Sequence, residues 1–274
     1  MSAHAGASAP GVLLESLDKG VLTLTLNRPE RFNSFNMELH AALAAALDRA
    51  RSDDSCRAVL LTGAGKGFCA GQDLSDRSIA PGTARPDLGE SLETRYNPLI
   101  RAIKALPKPI VCAVNGAAAG AGANIALACD IVLAAKSAKF LQAFARIGLL
   151  PDSGGTWTLP RLIGEARARA AILLAEPIDA ERAEAWGMIY RAVDDDALAN
   201  EARAIAEKLA SGPTYGYALI KEALNASPAN SLNAQLDLER DLQRKAGLSD
   251  DYAEGVGAFF EKRAPNFTGR RPAQ

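Results

Sequence analysis

Twice in this chain a short apolar run leads straight into a turn made largely of glycine and alanine. "CRAVLLTG" leads into "GAGKGFCAGQDL", and "PIVCAVNG" leads into "AAAGAGANIALA", which another apolar run, "CDIVLAA", follows at once. Runs this short and this continuous read as strands buried on both faces. Such strands need helices to cover them, so the repeat restricts the chain to a layered α/β fold of strand, strand, helix units. Upstream, "VLLESLDKGVLTLTLNRP" alternates apolar and polar residues on both sides of an Asp-Lys-Gly turn, which predicts a hairpin ending at Pro29. "NMELHAALAAALDRARSD" then carries apolar residues at helical spacing. Beyond the strands, four amphipathic segments from "DDALANEARAIAEKLASG" to "DDYAEGVGAFFEKRA" predict a helical end to the chain. The expected organisation is a flexible tail over residues 1–10, a core over 11–195 and a helical region over 196–274.

Composition narrows the function. The chain has 274 residues, of which 48% are hydrophobic, enough to bury a substantial core. Its 31 basic and 32 acidic residues are spread without a long block of one sign, so neither nucleic acid nor a membrane surface is expected as a partner. No apolar stretch reaches membrane-spanning length, and "MSAHAGASAPG" lacks the charged and apolar regions of a secretory leader. Cys56, Cys69, Cys112 and Cys129 show no C-x-x-C spacing and sit in or beside apolar segments, as reduced thiols of a cytoplasmic protein do. Only two histidines occur, His4 and His40, which argues against a His-based triad or a His-rich metal site; no metal is expected. His40 is expected at the surface or boundary of its helix.

Neither small-residue turn fits a nucleotide loop, because "GAGKGF" and "GAGANIAL" both miss the P-loop and dinucleotide spacings. Read together, they offer something else. Small residues let backbone approach a ligand closely and point N–H groups at it, and two amides converging on one oxygen form an oxyanion hole. Each such donor commonly contributes about 3 to 4 kcal/mol in the transition state. A third segment, "GLLPDSGGTW", places a lone carboxylate, Asp152, between an apolar run and two glycines. Two readings are open: a helix cap, or a working carboxylate at the floor of a pocket.

In chain order, "LNRPERFNSFN", "GFCAGQDL", "PKPIVCAVNGAAAGAGANIALACDIVLAA", "GLLPDSGGTWTLPRLIG", "AEAWGMIYRAVD" and "EGVGAFFEKRAPNF" resemble the crotonase superfamily, the enoyl-CoA hydratases and isomerases. The resemblance covers nearly the whole chain. It implies an α/β fold, a crotonase-type spiral of ββα units followed by a helical C-terminal trimerisation region, in a homotrimer or a dimer of trimers. It also implies an acyl-CoA substrate whose thioester enolate is held by two backbone N–H groups, here those of Ala70 and Ala121. No cofactor is implied besides the coenzyme A that the substrate carries. Backbone around Lys66 and Phe68, with Ala70, Gln72 and Asp73, would line the adenine and pantetheine. Arg28 and Lys262 would meet CoA phosphates, Lys262 in a neighbouring subunit's site.

The departures from the family pattern carry as much information as the matches. Its hydratases use two glutamates to activate and place a water, and the matching positions here are Asn124 and Phe144, neither of which is a general base. Asp152 stands where some isomerases of the family place a catalytic aspartate. The implied activity is isomerisation of an acyl-CoA by carboxylate proton abstraction. "PDLGESLETRYNPLIRAIKALPKP" and "LDLERDLQRKAG" resemble the branch that converts ring-1,2-epoxyphenylacetyl-CoA to an oxepin-CoA in phenylacetate breakdown. Shifting 3-enoyl-CoA to 2-enoyl-CoA uses the same proton chemistry. The alternatives are a 2-enoyl-CoA hydratase with another water-activating residue, and a noncatalytic acyl-CoA-binding or scaffold subunit. Phe144 either walls a pocket for a ring or packs in the core, and Asn124 either bonds substrate or water or packs its helix. Trp157 and Tyr96 are expected to be structural.

Overall fold

The computed structural model describes residues 11–77 and 86–272, and the expected tail over residues 1–10 lies outside them. β1 (Leu13–Asp18) and β2 (Val21–Leu26) form the expected antiparallel hairpin. Lys19 and Gly20 at its tip have φ of 48° and 77°, the left-handed pair whose twist matches two antiparallel strands. α1 (Met37–Ser52) begins where the Asn36 side chain accepts a hydrogen bond from the Leu39 N–H.

The strand, strand, helix repeat then runs three times. β3 (Ala58–Gly63) and β4 (Gly67–Cys69) precede α2 (Leu88–Ser91) and α3 (Asn97–Ala105). β5 (Ile110–Val114) and β6 (Ala117–Ala119) precede α4 (Ala121–Ala128), and β7 (Ile131–Ala135) and β8 (Lys139–Leu141) precede α5 (Gly155–Ile163) and α6 (Glu165–Leu174). β9 (Ile178–Asp179), α7 (Ala180–Ala185) and β10 (Arg191–Val193) close the repeat. Four helices follow: α8 (Leu198–Ala210), α9 (Thr214–Ala226), α10 (Leu232–Gly247) and α11 (Asp250–Glu261).

Each unit places its first strand in one sheet and its second in another. The larger sheet has the order β1-β2-β3-β5-β7-β10, the smaller β4-β6-β8-β9. Within them β1–β2 and β8–β9 pair antiparallel and the remaining pairs are parallel. Successive units therefore step along both sheets at once, which is the spiral that the resemblance implies. The central strands are apolar because both faces are covered: all five residues of β5 are buried.

α8 lies on β3, β5 and β7 and contributes Leu198, Ala202, Ala206 and Ala210 to the core. A boundary at residue 195 thus cuts one core helix away from the sheet it covers; the helices that leave the sheet begin with α9. His40 also departs from expectation. It faces inward, 5% exposed, 4.6 Å from the Phe35 ring and edge-on to Tyr96 at 4.4 Å. All four cysteines are buried and free. Burial pushes the Cys69 thiol up to about 12, above the range in which it would ionise at neutral pH.

Candidate active site

Two loops that are far apart in sequence meet where β4 and β6 end. The first runs from Cys69 to Asp73, the second from Ala119 into α4, and β4 pairs with β6 so that Cys69 lies opposite Ala118. Gly71 has φ of 90°, and a Cβ there would stand 2.8 Å from the Ala119 carbonyl oxygen and 3.4 Å from the Ala121 nitrogen. Gly122 is tighter still: a Cβ on it would stand 2.3 Å from the Cys69 carbonyl oxygen and 2.7 Å from its sulfur. Only glycine at these two positions lets the loops touch. The small residues are the contact itself.

The candidate donors follow from which way each amide turns. Ala121 opens α4, whose N-cap, Gly120, offers no side-chain acceptor, and the first amide of a helix has no acceptor within that helix. Ala70 corrects the sequence expectation. Its N–H donates to the Phe32 carbonyl at 2.9 Å, so the segment before α1 takes the amide that was expected to face a ligand. Two residues on, the direction reverses. Phe35 and Gln72 form a parallel bridge in which Phe35 N–H donates to Gly71 at 2.7 Å and Asp73 N–H donates to Phe35 at 2.9 Å. In that pattern the N–H of the middle residue, Gln72, points away from Phe35, toward the Ala119–Ala121 turn that Gly71 abuts.

Side chains hold the first loop rather than face a ligand. Arg28, expected on a phosphate, donates to the Ser34 carbonyl at 2.5 Å and to the Asp73 carboxylate at 2.9 Å, in a pair 13% and 7% exposed. Its guanidinium ties the chain before α1 to the loop. Asp73 also accepts from the Ser75 hydroxyl at 2.6 Å; that bond first, and Arg28 after it, hold its carboxyl down at about 2. The Gln72 amide donates to the Phe35 and Asp73 carbonyls and accepts from the Tyr96 hydroxyl at 2.9 Å. Phe68 is fully buried, whereas Lys66 and Ala70 are exposed at the mouth of the loop.

Asp152 is carried by a bent turn between β8 and α5. Ser153 and Gly154 after it are both left-handed, with φ of 50° and 78°, a conformation that costs a serine about 1 kcal/mol or more. The carboxylate does not cap α5, whose N-cap is Gly154 without a side-chain bond. Its Oδ1 accepts from the Ser153 hydroxyl at 2.9 Å, and its backbone carbonyl accepts from the Gly155 N–H at 2.9 Å. The same carbonyl accepts from the Asn124 amide at 2.8 Å, which ties the turn to α4. Asn124 is 2% exposed, and its oxygen accepts from Gln142 at 2.9 Å. Phe144, 7% exposed, packs its ring edge toward Gly120, so it walls the oxyanion turn while belonging to the buried interior.

Residues 16–270 match the family profile described as Enoyl-CoA hydratase/isomerase. The chain belongs to that family. It is 58% identical over 258 residues to the 1,2-epoxyphenylacetyl-CoA isomerase of Escherichia coli (strain K12), covering 94% of this chain and 98% of that protein. It is 51% identical over 254 residues to a probable enoyl-CoA hydratase of Rhodobacter capsulatus, covering 93% and 96% of the two chains. Among solved structures, the enoyl-CoA hydratase of Bacillus anthracis superposes with a TM-score of 0.89 at 32% identity, covering 94% of this chain and 100% of that one.

Of the residues expected at the site, the family fold brings together Ala121, Asn124, Phe144 and Asp152, and packs Gln72 and Ala70 beside them. Lys262 stands apart. It ends α11 in a left-handed conformation, exposed, and among the described residues no hydrogen bond or ion pair links its side chain to the site. Tyr96 is buried on Gln72, and Trp157 is 46% exposed with the Arg161 guanidinium 4.2 Å over its ring. Two contributors escaped the sequence reading: the Gln72 N–H and the Gln142 side chain. For the first, the only sequence signal is the glycine before it; the second gives none.

Proposed function

We propose that this enzyme is an acyl-CoA isomerase that converts ring-1,2-epoxyphenylacetyl-CoA to the oxepin-CoA and moves the double bond of 3-enoyl-CoA to the 2 position. The Asp152 carboxylate takes the proton beside the thioester. The backbone N–H groups of Ala121 and Gln72 hold the enolate oxygen as charge builds on it. The epoxide then opens into the seven-membered ring and one proton returns to it, so substrate and product have the same composition. One observation carries this reading: Asp152, whose carboxylate caps no helix, is tied through its backbone carbonyl to the oxyanion helix, while Asn124 and Phe144 occupy both positions where a hydratase keeps its glutamates. The substrate of the Escherichia coli relative supports the choice of acyl group.

Coenzyme A enters as part of the substrate, with Lys66 and Ala70 at the loop mouth beside its adenine, and the reaction asks for no metal or further cofactor. A second copy of the chain covers the apolar groove of about 500 Å³ beside Tyr252, Val256, Phe259 and Phe260, in a homotrimer or dimer of trimers that brings Lys262 to a neighbouring site. Among the described residues no helix is long and apolar enough to cross a membrane. Four buried free thiols suit a reducing compartment, the cytoplasm.

The Rhodobacter capsulatus relative favours hydration as the second reading. Incubation with a 3-enoyl-CoA in oxygen-18 water separates the two. Isomerised product without the label supports the isomerase, and direct uptake of the label supports a hydratase. A substrate left unchanged, with no exchange at its α-carbon in heavy water, leaves a binding subunit.

A further inference from the structure

Resting on the reading of Asp152 as the base, we propose that Gln142 is a positioning residue that sets this carboxylate through Asn124. The orientation of the two amides follows from chemistry. The Asp152 carbonyl only accepts, so the Asn124 NH₂ faces it; the Asn124 oxygen is left facing Gln142, which must then present its own NH₂. That leaves the Gln142 oxygen buried with no hydrogen-bond donor among the described residues, in a side chain 2% exposed.

A buried acceptor in that state is unfavourable, and the side chain that bears it is held there by the one bond its NH₂ makes to Asn124. Glutamine supplies what an apolar side chain lacks, the donor that pairs the Asn124 oxygen and gives that side chain its second fixed point. With Asn124 fixed, its NH₂ holds the Asp152 carbonyl, and the left-handed Ser153 and Gly154 keep the carboxylate aimed at the reacting carbon. Without Gln142 the Asn124 side chain keeps its bond to the Asp152 carbonyl but loses the second bond that fixes its position, and the strained turn is held less precisely. Gln142 sits where β8 ends and touches no reacting atom in this account. Its effect passes through two hydrogen bonds.

The test is Gln142→Met beside Asp152→Asn, both assayed with a 3-enoyl-CoA. Gln142→Met keeps the volume, removes the donor to Asn124, and exchanges the stranded Gln142 oxygen for a stranded Asn124 oxygen. The expected result is a kcat about tenfold to a hundredfold lower, as for a small misplacement of a catalytic group, with KM and Tm little changed. An unchanged kcat, or kcat and Tm falling together, overturns the proposal in favour of plain packing.

Gln142→Glu adds a signature that packing does not share. A buried glutamic acid donates to Asn124 only while protonated, so the variant's rate relative to wild type should fall as pH rises through its elevated pKa. A ratio independent of pH overturns the proposal. If Asp152→Asn keeps its rate, the Asp152 reading fails and takes this inference with it. If Asp152→Asn is inactive and Gln142→Met is fully active, only the role of Gln142 fails.

Discussion

The two loops that bear the proposed oxyanion donors are held by different means. The loop from Cys69 to Asp73 is fixed by charge and hydrogen bonds: Arg28 and Ser75 on Asp73, and Tyr96 on Gln72. The turn from Ala119 into α4 carries no charged side chain and is fixed by close packing and neutral hydrogen bonds, with every residue of α4 buried, Gly122 pressed on Cys69 and the Gly120 N–H donating to the Leu141 carbonyl at 2.8 Å. Polar side chains in the first loop thus hold the backbone that is proposed to meet the ligand. The difference also fixes how each loop fails. The first depends on ionisation and the second on volume.

The largest expected effect breaks the charged loop. Arg28→Met leaves the Asp73 carboxylate buried without its guanidinium and should cost about 3 kcal/mol at neutral pH, read by chemical denaturation. Gly122→Ala breaks the contact loop: its new Cβ meets Cys69, so a loss of about 2 kcal/mol is expected, with a fall in kcat as the donors separate.

pH sharpens the contrast. The Asp73 carboxyl is held at about 2 in the folded chain against 3.8 for the free group, so its stabilisation is full above the upper value and is lost as pH falls through the lower. The penalty of Arg28→Met should therefore shrink in acid, whereas that of Gly122→Ala stays constant; melting both variants and the wild type across that range checks it. The smallest effect is Tyr96→Phe, which removes one hydroxyl from Gln72. It should cost about 1 kcal/mol, with kcat falling severalfold and KM holding.

The chain's periodicities carried most of the fold. The hairpin at Lys19 and Gly20, the ββα order and the helical end were legible because each depends on residues close in sequence. The site was legible where one residue decides: Asp152, and the absence of a glutamate at positions 124 and 144. It was not legible where a distant segment decides. Nothing local shows that Phe32 captures the Ala70 amide, that Asp73 captures Arg28, or that Phe35 and Tyr96 enclose His40. Gln142 stayed hidden for the same reason, because its partner lies on α4.

The central claim is that one carboxylate moves the proton while backbone amides hold the charge. Steady-state isomerisation of a 3-enoyl-CoA by Asp152→Asn tests it most directly, since asparagine keeps the size and the backbone bonds of the turn and loses only the base. The expected result is a kcat lower by about 10³-fold with KM unchanged. A variant that turns over at a near-normal rate would contradict the account.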